Sequence, residues 1–292
     1  MNQLNQLPGV RAMVGALLFV LSTACGTPTR GHEYDLRGQI LAVDRAERTV
    51  TIRHDDIKGF MPAMTMPFKV KDASLLNGRK RGELVVGKLL VTDTDAYLVS
   101  LEVVGYAEVA PVSAAVRMPQ ADILPPGAVV PDVRLIDTTG RALPLSSLRG
   151  SVVALTFIYT RCPLPQFCPL MDRQFHEVAR QVAEISSLSG SVRLLSISFD
   201  PEYDTPAVLA AHARSVGADG RLWQFATADR PTIDAWAPRF GVVLVRGDTS
   251  TITHTLRTAI VDREGRLVRI YDGSDWKPEE LVEALRKVAM GS

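Results

Sequence analysis

Cysteine is scarce in this chain, three in 292 residues, so sulfur chemistry is confined to one pair and a remainder. Charge imbalance is nearly absent: the formal net charge is +1 and no basic block occurs, which excludes nucleic acid as a partner. Histidine is limited to five residues, few enough to weigh singly. The apolar stretch near the N-terminus, Ala12 to Leu21, has ten residues, where a membrane-spanning helix needs about twenty.

What is present there is an export signal: Arg11, then the apolar stretch, then small residues up to Cys25. The run "LSTAC" resembles the lipobox of bacterial lipoproteins, with Ser22 where leucine is common. By that resemblance residues 1–25 are a lipoprotein-type signal and Cys25 becomes the lipidated N-terminus. The mature protein is then expected on the periplasmic face, exported and anchored to the membrane through its lipid. Cys162 and Cys168 remain as the pair, as suits an oxidising compartment.

With 46% hydrophobic residues the chain can build packed cores, and its length implies two domains. Residues 33–106 hold five alternating runs, Leu36 to Val43, Thr49 to His54, Met64 to Val70, Leu89 to Thr92 and Tyr97 to Val104, which predict a small all-β, OB-like barrel. Residues 107–126 are rich in alanine and proline and read as a semi-rigid linker. From residue 127 to 292, strands alternate with helical periods, an α/β layered pattern.

In "TFIYTRCPLPQFCPLM" the buried strand Val152 to Tyr159 leads into Cys162 and Cys168, and Pro169 opens an amphipathic helix through Leu170, Phe175, Val178, Ala179 and Val182. Cys168 is thus expected at the helix N-terminus, where free N–H groups and the dipole favour its thiolate. His254 follows about ninety residues later in "TITHTL". Two thiolates with an imidazole suit copper as Cu(I) or Cu(II). The alternative is a short structural disulfide, which would stabilise weakly because its loop constrains the unfolded chain little.

Three of the eight methionines crowd into "GFMPAMTMPF", and Met64 with Met66, two apart, face one side of a strand. His54 ends the preceding strand, so thioethers and an imidazole can meet over Cu(I) or Ag(I). Core filling is the competing reading, since methionine packs irregular gaps. His176 and His212 read as surface residues, and His32 as part of the tether.

The segment "HDDIKGFMPAMTMPFKV" resembles the metal-binding stretch of the CusF family, periplasmic copper and silver binders with a five-stranded OB-like barrel. The resemblance implies His54, Met64 and Met66 as ligands. Met61 stands where that family has a capping tryptophan, and is a candidate third thioether. "LRGSVVALTFIYTRCPLPQFCPLM", "SISFDPEYDTP" and "THTLRTAIVDREG" resemble the Sco/SenC family, thioredoxin-fold proteins that carry copper to the CuA centre of cytochrome c oxidase. That resemblance implies Cys162, Cys168 and His254 as copper ligands and Asp200 as an acidic residue behind them. Five residues separate the cysteines here, where the family usually has three.

A copper metallochaperone that delivers to, and aids assembly of, the CuA site is therefore expected, more a carrier than an enzyme. Two alternatives stay open: a thiol-disulfide reductase using Cys162 and Cys168 on a partner's cysteines, and a copper-sequestering resistance protein.

Overall fold

The computed structural model describes residues 31–109, 123–246 and 252–291. The expected export signal, Cys25 and most of the expected linker lie outside the described residues. Among the described residues no helix is long and apolar enough to cross a membrane.

The first unit is all β: β1 (Gly31–Asp44), β2 (Thr49–His54), β3 (Met64–Val70), β4 (Glu83–Thr92) and β5 (Ala96–Tyr106). They hydrogen-bond all the way round, in the order β1-β2-β3-β5-β4, so this ring leaves no open edge. Alternation sets its inside: Val50, Ile52 and His54 of β2 are buried, as are Met66, Phe68 and Val70 of β3. The β2–β3 register places Val50 opposite Phe68, Ile52 opposite Met66 and His54 opposite Met64. The last of these rungs is the candidate donor set. β4 begins six residues before the expected Leu89, because Gly87 and Lys88 interrupt the apolar run and the pairing with β5 shifts register there.

The second unit is α/β. Its strands are β6 (Arg134–Asp137), β7 (Ala142–Pro144), β8 (Val152–Ile158), β9 (Val192–Ser198), β10 (Trp223–Thr227), β11 (Leu244–Arg246), β12 (Ile252–His254), β13 (Arg257–Val261) and β14 (Leu267–Asp272). Its helices are α1 (Cys168–Glu184), α2 (Pro206–Ser215), α3 (Arg230–Trp236) and α4 (Pro278–Met290). Seven strands form one sheet in the order β14-β13-β8-β9-β10-β6-β7, and β11 pairs with β12 separately. β8 pairs parallel with β9 and β9 with β10. Every residue of β8 is buried, as expected for a strand covered on both faces. The stripe Met171, Phe175, Val178 and Val182 buries one face of α1 against this sheet. The expected thioredoxin-like α/β layering is therefore present. Its hydrogen bonding starts inside the stretch read as linker, since the Leu124 N–H donates to the Arg239 carbonyl at 2.9 Å.

Gly38 sits where β1 crosses β2, opposite His54. A Cβ there would lie 2.5 Å from the Arg53 carbonyl oxygen and 2.8 Å from the His54 Cα. Gly38→Ala is expected to destabilise the ring by about 1–3 kcal/mol, measured as a lowered denaturant midpoint of its unfolding transition.

Candidate metal centre

Packing positions the cysteines. Cys168 is the first residue of α1 and is buried, with the α1 stripe below it fixing its depth. Cys162 is half-buried at the far end of the intervening loop. The two thiols are free and hydrogen-bonded to each other, and the Cys168 Sγ lies 3.7 Å from the His254 Nε2. His254 is the last residue of β12. Its ring packs on Phe199 at 4.5 Å between centroids and edge-on to Tyr159 at 5.8 Å. Its Nδ1 lies 3.2 Å from the Thr255 carbonyl oxygen. A proton on Nδ1 satisfies that contact and leaves the Nε2 lone pair facing Cys168, the orientation a metal-binding histidine needs.

The electrostatics of the pair are asymmetric, and they reverse the expectation for Cys168. The Cys162 thiol falls to about 7, because its thiolate accepts from the Cys168 thiol and then from the Leu164 and Cys168 backbone N–H groups and Tyr159. Burial, reinforced by the Cys162 charge, pushes Cys168 well above the ordinary thiol value. The helix N-terminus thus supports the thiolate across the loop, on Cys162, rather than on its own first residue. Burial lowers His254 to about 4, so its imidazole is neutral at any working pH. The result is one thiolate, one thiol and one neutral imidazole, the donor chemistry of a soft cation. Among the described residues no three histidine, cysteine or acidic side chains form a fully converged metal cluster. The three donors are linked pairwise, through Cys168.

Asp200 is buried and pairs with the residue before Cys162. Its carboxylate takes both Arg161 Nε at 2.6 Å and a second guanidinium nitrogen at 3.1 Å, a bidentate pair that holds the residue next to Cys162. Arg161 also lies over the Tyr203 ring at 4.7 Å. Asp204, which sequence reasoning passed over, is fully buried and accepts from the Thr160 N–H at 3.1 Å and from the hydroxyls of Thr160 and Ser198. Both carboxylates come from "FDPEYDTP", so they clamp the two residues leading into Cys162. Tyr159 was also missed; it lay unremarked at the end of an apolar strand. His176 is exposed, but His212 is not the surface residue expected: its Nε2 lies 2.8 Å from buried Asp172 on α1.

In the ring, His54 is buried and its Nδ1 lies 2.7 Å from the Asp55 carbonyl oxygen. Its Nε2 is buried without a hydrogen-bond partner. Burial lowers the His54 pKa, so this atom is a lone pair in want of an electrophile. Met64 is half-buried beside it, whereas Met66 and Met61 are buried in the ring core. Met61 and Met66 thus fill the core, with Met64 at its edge beside His54.

Tyr159→Phe removes one donor to Cys162. In the parent protein, alkylation of Cys162 is expected to rise with pH to half its maximum near 7, while Cys168 stays protected. The Phe variant should shift that midpoint upward, read by mass spectrometry of iodoacetamide-quenched samples across pH.

A family model described as copper binding periplasmic protein CusF matches residues 33–101, and one described as SCO1/SenC matches residues 122–290. A curated SCO1 protein homolog of Bacillus subtilis (strain 168) is 27% identical over 143 residues, covering 48% of this chain and 71% of that protein. The second unit shares its fold with a SCO1/SenC family lipoprotein from Bacillus anthracis str. Ames: TM-score 0.51, 19% identity, 57% of this chain and 99% of that one. Arabidopsis thaliana ScoI with copper bound gives a TM-score of 0.50 at 21% identity, over 56% of this chain and 100% of that one. With more than half its length matched at the thiol-bearing unit, the chain belongs to the SCO1/SenC family.

Proposed function

We propose that the protein is a periplasmic copper metallochaperone that loads the CuA site of cytochrome c oxidase. The observation that carries this reading is the meeting of Cys162, Cys168 and His254 on one side of a Sco-type sheet. A relative of this fold is described as a member of the Sco family of cytochrome c oxidase assembly proteins, and another was solved with copper bound. Copper here is cargo. Cys162, Cys168 and His254 would hold it in the second unit, and His54, Met64 and Met66 in an OB-like first unit. Met61, as buried in the ring core as Met66, is the candidate third thioether. Export and lipid anchoring at Cys25 would place these donors beside a membrane-bound acceptor.

Ligand exchange is the whole of the chemistry. Cys162 approaches the ion as thiolate, Cys168 loses its proton to water on binding, and His254 offers a lone pair already turned toward the site. Asp200 and Asp204 keep the approach to Cys162 from shifting as the ion enters or leaves. Oxidation of the pair to a disulfide removes both sulfur donors, so copper affinity follows the redox state of the cysteines.

The low thiol value at Cys162 also favours a second reading, thiol-disulfide exchange on a partner's cysteines. Copper stoichiometry on the reduced, signal-free protein separates the two. Two Cu(I) ions are expected in the parent, with one lost in Cys162→Ser/Cys168→Ser and the other lost in Met64→Leu/Met66→Leu. Unchanged copper on removal of both cysteines would make them a redox pair only.

A further inference from the structure

The two donor sets do not face separate solvents. Met64, Met66 and Pro67 of the ring line the same cavity as Tyr159, Cys162, Leu164, Phe167 and His254 of the α/β unit, together with Pro163 and Ile252. The cavity measures about 80 Å³, several times the roughly 10–15 Å³ that one water requires. The segment that joins the two units beside it is the cysteine loop itself. Leu164 is buried as a member of the ring's hydrophobic core, and Cys162 and Phe167 pack against both cores. The five residues between the cysteines thus do more than bring two sulfurs together: they carry the apolar side chains that dock one unit on the other.

We propose that this cavity is a hand-over chamber, in which a single Cu(I) moves from the set of His54, Met64 and Met66 to Cys162 and His254 on its far wall, with Cys168, 3.7 Å from His254, completing the receiving set, without release to bulk solvent. The inference rests on the copper reading above and adds the route. In the transfer, the Cu–Sδ bonds and the Cu–Nε2 bond of His54 break as Cu–Sγ bonds and a Cu–Nε2 bond to His254 form, and the Cys168 proton leaves to water. Copper remains Cu(I), so no electron moves and no co-reactant is needed. Soft thioethers bind Cu(I) more weakly than thiolates, which gives the step its direction once the cysteines are reduced. The cavity is lined mainly by apolar groups, which penalise a bare cation, so the ion crosses only while a donor of one set or the other holds it.

The test uses the signal-free full chain with Cys162 and Cys168 oxidised by diamide, so that only the thioether set is free, loaded with one equivalent of Cu(I). Methionine methyl groups are labelled with carbon-13. A water-soluble phosphine then reduces the disulfide in the presence of bicinchoninate, a coloured Cu(I) trap. The expected result is loss of the copper-shifted Met64 and Met66 methyl signals with thiolate-to-copper absorbance appearing and little trapped colour. Leu164→Asp, which undocks the loop while leaving every donor in place, should raise the trapped fraction relative to the cysteine-bound fraction at least tenfold. Leu164→Ala serves if the charged variant does not fold, with a smaller rise in the same direction. Equal trapping in parent and Leu164 variants would overturn the chamber while leaving the copper reading intact. Failure of the oxidised chain to shift either methyl with Cu(I) would instead sink the ring's role as a copper site, and the hand-over with it.

Discussion

The seating of α1 on the sheet governs the cysteine site. Met171, Phe175, Val178 and Val182 bury that helix along one face, and this packing fixes Cys168 at its first turn. Depth then decides chemistry. A thiol held among apolar groups resists ionisation, and its neighbour, half open and offered a hydrogen bond by that same thiol, ionises in its place. The proton that Cys168 keeps is what stabilises the charge on Cys162. Loosening the helix would level the two thiols and remove that asymmetry.

Elements with strong periodicity were legible from the chain alone. β8 announces itself as an unbroken apolar run, α1 by its stripe, and β2 and β3 by alternation that also puts Met64 and Met66 on one side. The donors were legible because cysteine, histidine and clustered methionine are few. Three features were not. The thiolate's location depends on burial, which no spacing rule reports, so the helix terminus misled. Tyr159, Asp204 and His212 act through contacts made by distant segments, and their neighbours in sequence carry no sign of it. The meeting of the two units at the cysteine loop was hidden for a related reason: Leu164 and Phe167 look like loop residues until a second core is placed against them.

Around Cys162, polar side chains serve position rather than reaction. Asp200 grips Arg161, Asp204 grips Thr160, and both lie in a single turn after β9. The pairing is economical in a physical sense: buried carboxylates are costly unless fully bonded, and each here is satisfied by groups that precede the Cys162 sulfur. Rigidity on that side leaves the loop beyond Cys162 as the part free to adapt to what docks against it.

The two donor sets are encoded in different ways, and heredity treats them differently. His54 faces Met64 because of ladder register, in which every residue counts: loss of one residue from β2 or β3 turns the imidazole and the thioethers to the opposite face while leaving the outline of the ring intact. Cys162 and Cys168 flank a loop, whose closing entropy changes slowly with length. Lineages can therefore lengthen or shorten the thiol loop and keep a working pair, retuning what it touches, whereas the methionine face is inherited whole or lost in a single deletion.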